Sequence, residues 1–245
     1  MPTTPKKTTK SESGHAKNAA NFGALIATIE GYGASYKPTL AAITVAKLKS
    51  LKLEIDKSLR AVSAAAPPYK TSVNKRQEAF DGMSKLATRV LNALAVVGTA
   101  REAADARGIV NRIRGGGKSK KVVKLEASSE AAPKSYSSSQ MSYDNRVKNF
   151  RALVDLLNGI PAYKPNEADL KTTYLNKYLD ALPGMGEAVN KSLVALNNAR
   201  KVRDGLLYGA GGALGLSKKA KSYLKSLYGA ASSEYKRVAK IELKT

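Results

Sequence analysis

Hydrophobic residues recur along much of the chain at steps of three and four, which is the spacing of one face of an α-helix. Two runs share this arrangement, and each is followed by a similar turn sequence, "YGASYKP" in one and "IPAYKP" in the other. Their apolar positions are Phe22, Ile26 and Ile29, and Val147, Phe150, Val154 and Leu157. Each run predicts an amphipathic helix of about four turns. The helix should end at Gly31 or Gly159, because the proline that follows cannot continue it.

A longer helix is predicted after each of these prolines. In the second run its apolar positions approach a heptad pattern: Leu175, Tyr178, Leu182, Met185, Val189, Leu193 and Leu196. The first run keeps the same phase at Leu48, Leu51, Ile55, Leu59 and Val62. Thr39 and Asn166 are expected to cap these helices. We expect kinks or tight turns at Pro67-Pro68 and at "LPGMGE", 182–187, since proline interrupts helical hydrogen bonding.

A third amphipathic segment closes each run, 85–97 in the first and 214–228 in the second. Both end at a glycine that precedes a threonine or serine, in "VVGTAREA" and "LYGAASSEY". The glycine favours a helix end, and the hydroxyl residue is placed to cap a short final helix. The sequence "GAGGALG", 209–215, is expected to be a loop that only the second run contains.

The two runs are copies of one module. An offset of 127 residues superimposes mainly apolar positions, for example Ile43 on Leu170 and Phe80 on Leu207. The intervening stretch is rich in Gly, Ser and Lys without a sustained period, which is typical of a flexible linker. The sequence therefore predicts an all-α protein of two tandem homologous bundles, with three to four helices each, joined by a flexible basic linker. The predicted parts are a disordered basic tail (1–17), the first bundle (18–113), the linker (114–142) and the second bundle (143–245).

Composition supports a helical protein with hydrophobic cores. Of the 245 residues, 43% are hydrophobic, and much of that share is Ala, while only 6% of the residues are aromatic. Ala and Lys favour helix over strand. There is no Cys, which excludes disulfides and thiolate metal sites. No apolar run approaches the ~20 residues of a membrane span, and the first residues contain no apolar signal core. We therefore expect no transmembrane segment and a cytoplasmic location.

The second copy resembles a known group of proteins. The stretches "NRVKNFRALVDLLNGIPAYKPNEADLK" and "LYGAASSEYKRVAKIELK" are similar to uncharacterised helical proteins of Bacteroidota-type bacteria. The resemblance covers the second half well and the first half weakly. It implies a bacterial source and a helical fold, and it assigns no functional residue.

Catalytic motifs are not supported by the sequence. "RGGGKSKK" ends like a phosphate-binding loop, but the motif requires a glycine where Arg112 stands. His15 is the single histidine and lies in the predicted tail, so neither a Ser-His pair nor a two-histidine metal site is expected in the folded part. Acidic pairs such as Glu167 with Asp169 and Glu102 with Asp105 are explained by helix ends and solvation. We therefore expect no enzymatic activity, no cofactor and no metal.

Charge is the feature that points to a partner. The chain has 42 Lys and Arg against 19 Asp and Glu, a net charge of +23, and the excess is spread over all parts. Such a field attracts polyanions. Three clusters supply the candidate polyanion-binding residues: Lys6, Lys7 and Lys10; Arg112, Arg114, Lys118, Lys120, Lys121 and Lys124; and Lys218, Lys219, Lys221, Lys225, Lys236, Arg237 and Lys240.

The leading hypothesis is therefore a non-enzymatic helical protein that binds a polyanion, above all nucleic acid, through phosphates and without reading sequence. The simpler interpretation is that the lysines only solubilise helix faces. The alternative function is a structural or scaffolding protein that self-assembles, or docks on an acidic protein partner, through its helical faces. The chain has 12 Tyr against 3 Phe, and such rings can either stack on unpaired bases or pack at the edge of a core.

Overall fold

The chain is described by a computed structural model that covers residues 14–115 and 141–245. These residues form seven α-helices and no strand. The helices are α1 (His15–Glu30), α2 (Val45–Val97), α3 (Ala100–Ile113), α4 (Tyr143–Asn158), α5 (Thr172–Tyr208), α6 (Ala213–Tyr228) and α7 (Ser233–Ala239). The all-α prediction is confirmed for the described residues. None of these helices combines the length and the apolar character that a membrane span requires.

The first helix of each copy ends where the sequence predicts. α1 is followed by Gly31 and α4 by Gly159, and both glycines donate backbone N–H groups to carbonyls of the last turn. The apolar face of each helix is buried, including Phe22 and Phe150, which are both fully shielded from solvent. α1 begins earlier than expected, because His15 is its first residue. Residues 15–17 therefore belong to a helix rather than to the predicted tail.

The two long helices run through the prolines. α2 contains Pro67 and Pro68 and α5 contains Pro183, so the tight turns expected at these positions are not formed. A proline removes one N–H donor and leaves the carbonyl four residues earlier without its helical partner. All three prolines are solvent-exposed. The carbonyls freed by Pro67 and Pro68 belong to Ser63 and Ala64, which are exposed, so water can hydrate them and lower the cost of continuing α2.

A short 3-10 turn precedes each long helix, and it replaces the caps predicted at Thr39 and Asn166. The turns are Ala41–Ile43 and Ala168–Leu170, and α2 and α5 begin two residues after them. Thr39 and Asn166 lie before these turns and are not N-cap residues of the long helices. The sequence pattern did not predict this extra turn, because the contact that stabilises the turn comes from a tyrosine earlier in the chain.

That contact is the same in both copies. The Tyr36 hydroxyl donates to the Ile43 carbonyl oxygen at 2.7 Å, and the Tyr163 hydroxyl donates to the Leu170 carbonyl oxygen at 3.0 Å. Both tyrosines are buried, and burial raises the pKa of each to about 12. The shared "YKP" motif is therefore a structural element that closes the turn into the long helix.

The final helices begin as the sequence predicts. The Thr99 hydroxyl accepts the Glu102 backbone N–H, and the Glu102 carboxylate accepts from the Thr99 backbone, which together form a capping box at α3. Ser232 caps α7 by accepting the Tyr235 backbone N–H. In the second copy a glycine-rich loop, 209–212, separates α5 from α6, as predicted. The first copy has no such loop, because α2 continues without a break to Val97.

The chain divides into two structural units whose composition differs from the two tandem bundles. Unit 1 comprises residues up to 69 and 192–245, and unit 2 comprises 70–191. The predicted bundles, 18–113 and 143–245, each contribute helices to both units. The tandem arrangement is therefore not confirmed.

Each unit has its own hydrophobic core, and each core combines the two copies. The core of unit 1 is built by Ala19, Phe22, Leu25, Ile26, Ile29, Tyr36, Ile43, Leu48, Ile55, Leu207, Ala213, Leu216, Ala220, Leu224 and Val238. The core of unit 2 is built by residues from Phe80 to Ile113 of the first copy and from Phe150 to Leu182 of the second. In unit 1, α1 contacts α6 and α7, and in unit 2, α3 packs against α4. The first helix of each copy thus packs with the last helix of the other.

The exchange follows from the unbroken long helices. α2 begins in unit 1 and ends in unit 2, and α5 begins in unit 2 and ends in unit 1. Without a turn in its long helix, neither copy brings its last helix back to its own first helix. Each copy therefore supplies helices that complete the core begun by the other copy. This resembles a domain swap, but both copies belong to one chain.

The predicted linker does not join the two units. Most of it lies outside the described residues, but the residues on either side of the undescribed part, Gly115 and Met141, are adjacent in unit 2. A Cβ added to Gly115 would lie 2.7 Å from the Met141 sulfur. The chain passes between the units inside α2 and α5 instead.

Candidate polyanion-binding surface

The predicted basic residues fall into three groups in the structure. Lys6, Lys7, Lys10, Lys118, Lys120, Lys121 and Lys124 lie outside the described residues. Arg112 and Arg114 are exposed at the end of α3 in unit 2. The remaining seven residues are all brought together on α6 and α7 of unit 1.

The lysines of α6 lie on its face away from the core because of their spacing. Ala213, Leu216, Ala220 and Leu224 form the buried face of the helix. Lys218 and Lys225 are seven residues apart, about two turns of helix, and both are exposed, as is Lys219. α6 contains four lysines and no acidic residue.

α7 runs back along α6 in the opposite direction. Only the loop 229–232 separates the two helices, so Tyr228 at the end of α6 is close to the start of α7. At the other end of the pair, the Lys221 ammonium group donates to the backbone carbonyl oxygens of Ala239 and Ile241. Lys236 and Arg237 are exposed on α7, and its C-cap residue, Lys240, is also exposed. The exposed lysines and arginine of the two helices form one surface, Lys218, Lys219, Lys225, Lys236, Arg237 and Lys240, which we call the α6–α7 surface.

Lys221 does not belong to this surface. Its side chain is half-buried, and burial lowers its pKa, while Glu242 nearby acts in the opposite direction. Its ammonium group satisfies carbonyls at the end of α7 and just beyond it. The structure therefore gives Lys221 a role in holding α7 and the C-terminal residues against α6.

The C-terminal residues are also held by α1. The Asn18 side chain is buried and donates to the Lys244 carbonyl oxygen while accepting the Lys244 backbone N–H at 3.0 Å. Asn21 donates to the Glu242 carbonyl oxygen at 2.7 Å. These contacts hold the C-terminal residues against α1.

Charge is unevenly divided between the units. The described residues of unit 1 carry 18 Lys and Arg against 6 Asp and Glu, a net charge of +12. Those of unit 2 carry 16 against 10, a net charge of +6. Among the described residues, no ion pair engages any member of the α6–α7 surface. These cations are therefore available to an external anion.

A groove beside this surface was not predicted. It is lined by Ala27, Thr28, Gly31, Tyr32, Tyr228, Glu234 and Arg237, and it encloses about 700 Å³. The rings of Tyr32 and Tyr228 meet edge to face with centroids 5.6 Å apart. Its walls come from α1 of the first copy and from α6 and α7 of the second. The sequence alone could not predict this groove, because the exchange of helices between the copies was not known.

Other tyrosines are committed to packing. Tyr36 packs edge to face on Tyr223 with centroids 5.3 Å apart. The Tyr178 hydroxyl donates to the Ala79 carbonyl oxygen, and burial raises its pKa to about 12. With Tyr163, these rings serve the cores and are not available for stacking on a ligand.

The acidic residues considered in the sequence serve local structure. Asp169 pairs with Arg89 through both carboxylate oxygens, and this hydrogen bonding lowers the pKa of Asp169. Hydrogen bonds from Thr99 lower the pKa of Glu102. Within residues 14–115 and 141–245, no group of three His, Cys, Asp or Glu side chains is placed to hold a metal ion.

No protein-family model, no curated protein and no solved structure matches this chain. The structure itself defines the class as an all-helical protein with an internal duplication whose copies exchange their helices between two units.

Proposed function

We propose that this protein binds polyanions, with nucleic acid as the principal ligand, through phosphate contacts at the α6–α7 surface and without reading sequence. The observation that carries the proposal is the set of six exposed cations on two adjacent helices, none of them in an ion pair with a described residue. Phosphate contacts by lysine supply affinity without sequence information.

The surface is long enough for several phosphate contacts. α6 has 16 residues and is therefore about 24 Å long at 1.5 Å per residue. Each strand of a DNA duplex carries one phosphate per ~3.4 Å of helix axis, so α6 matches the length of about seven such phosphates. Lysine is a compact charge on a flexible stem, which allows contacts without a fixed phosphate geometry.

The binding region lies in one unit. The last helix of the first copy, α3 in unit 2, has mixed charge, with Glu102 and Asp105 near Arg101 and Arg107. Unit 1 alone presents the acid-free helix. We therefore assign phosphate binding to unit 1.

Replacing Lys218, Lys219 and Lys225 together by Gln is expected to weaken binding to labelled DNA and RNA by about tenfold or more at low salt. If three phosphate contacts are lost, the slope of log affinity against log salt should fall by roughly two to three. Fluorescence anisotropy at several salt concentrations between 50 and 200 mM measures both quantities.

The matched control replaces Lys164, Lys171 and Lys177 by Gln. These lysines are exposed in unit 2, so the control removes the same charge from another place. An equal loss in both triple variants would contradict a localised site and indicate a general charge effect. Negligible binding by the unmodified protein at low salt, together with concentration-dependent oligomers in light scattering, would favour the scaffolding alternative.

A further inference from the structure

The groove next to the α6–α7 surface has the features of a site for an unpaired base. Tyr32 is fixed in place, because its hydroxyl donates to the Glu234 carbonyl oxygen at 2.8 Å. Tyr228 meets the Tyr32 ring at an interplanar angle of 61°. Both rings are partly buried against the core of unit 1, and both also line an open groove. A fixed aromatic surface binds with a smaller entropy cost than a mobile one.

The groove is continuous with the lysines. Lys218, Lys221, Lys225 and Tyr228 follow one another at steps of three and four along α6, so they lie along one side of the helix. Tyr228 is the last member of this row and forms a wall of the groove. A strand whose phosphates contact Lys218 and Lys225 therefore reaches the two rings at the end of α6.

Arg237 gives the groove a cation of its own. It lines the groove and lies near Glu234 and Tyr32, where its charge opposes the rise that burial causes in the Tyr32 pKa. Burial is the larger influence, so the pKa of Tyr32 is raised and its hydroxyl stays protonated. The guanidinium group can bind a phosphate or lie against a base.

We propose that the Tyr32–Tyr228 groove, together with the row of lysines that leads to it, selects single-stranded nucleic acid by stacking an unpaired base against its rings. This inference rests on the proposed function and adds the strand type to it. Bases in a duplex are stacked on their neighbours and cannot reach such a groove, whereas bases of a single strand can be turned outward. Stacking on aromatic side chains tolerates any base, which agrees with binding that does not depend on sequence.

The test compares nucleic acids that differ in the presence and pairing of bases, and it includes heparin as a polyanion without bases. Anisotropy is measured with a labelled single-stranded oligonucleotide, an abasic oligonucleotide of equal length, a duplex and heparin. We expect the single strand to bind between about fivefold and a hundredfold more tightly than the abasic strand, from one stacked base. Equal affinity for the single strand and the abasic strand overturns the inference and leaves phosphate binding intact. Failure of all four ligands to bind overturns the proposed function itself.

Variants of Tyr228 locate the effect. Tyr228→Leu should remove most of the preference for the single strand over the abasic strand while leaving heparin affinity within about twofold, because the lysines remain. Tyr228→Phe should keep the preference, since it retains the ring. Tyr174→Leu is the matched control, because Tyr174 is 45% exposed but lies in unit 2. A full preference in Tyr228→Leu contradicts the assignment to this groove.

Discussion

Neither copy of the module is expected to form a stable monomeric bundle when produced alone as residues 14–115 or 141–245. In the intact chain α1 buries Phe22, Leu25 and Ile29 in a core that α6 and α7 complete. The first copy alone lacks these helices, and the second alone lacks α2 and α3, against which α4 packs. Each half should therefore unfold or self-associate, and mixing the halves should restore a 1:1 complex.

Size-exclusion chromatography with light scattering and far-ultraviolet circular dichroism measure this outcome. The mixture is expected to recover the helicity of the intact chain and to unfold cooperatively. Two halves that are each monomeric, helical and cooperative on their own would contradict the exchange of helices.

Phe22→Ala is expected to lower the free energy of unfolding by about 3–5 kcal/mol, the usual cost of deleting a fully buried aromatic side chain. Phe22 is 0% exposed in the core of unit 1. Because α1 packs on α6 and α7, the loss should appear there as faster amide hydrogen exchange, although these helices are almost 200 residues away in sequence. Denaturant unfolding and hydrogen exchange resolved by segment measure the two effects.

Phe150→Ala is the matched control, because Phe150 occupies the equivalent position in α4 and is equally buried in unit 2. It should raise exchange in α3 instead. If Phe22→Ala unfolds the chain, Ile29→Val replaces it, because this smaller deletion costs only about 0.5–1.5 kcal/mol. It should speed exchange in the same helices by a smaller amount. Faster exchange confined to α3 after Phe22→Ala would be incompatible with the described cores.

Local sequence patterns were sufficient to predict the helical segments and several of their ends. Spacing of three and four located the buried faces of α1 and α4, and glycines marked where both helices stop. The hydroxyl residues Thr99 and Ser232 predicted the caps of the last helices. These features depend on neighbours in the chain, so they can be inferred without knowing the tertiary structure.

The partners of the helices could not be predicted in this way. Periodicity shows which face of a helix is buried but not which helix covers it. In a duplicated chain the two possible partners present nearly the same apolar stripe, so the pattern fits both the tandem and the exchanged arrangement. The exchanged arrangement depends on α2 and α5 continuing through Pro67, Pro68 and Pro183, where the sequence predicted kinks or turns.

Polar residues at matching positions distinguish the two pairings. Asn18 in α1 donates to the Tyr208 hydroxyl at 3.0 Å in unit 1. The equivalent residue of α4 is Arg146, which is buried in unit 2 and donates to the Phe80 carbonyl oxygen. The amide and the guanidinium group differ in length and in hydrogen-bonding atoms, so each suits the partners in its own unit, which disfavours the opposite pairing.

The candidate site was predicted in part. Net charge and lysine spacing identified the residues of the α6–α7 surface, because exposure follows from helical phase. The buried role of Lys221 was not evident, since it depends on carbonyls of Ala239 and Ile241 that fold back onto α6. The groove between Tyr32 and Tyr228 required the contact of α1 with α6 and α7.

The exchange of helices is tested most directly by one distance within unit 1. The chain has no cysteine, so Ala27→Cys and Arg237→Cys introduce the only two thiols for nitroxide labels. Both residues line the groove between α1 and α7. Double electron–electron resonance should give a single short and narrow distance distribution. A long or broad distribution, as tandem bundles with α1 packed on α3 would produce, would contradict the exchange.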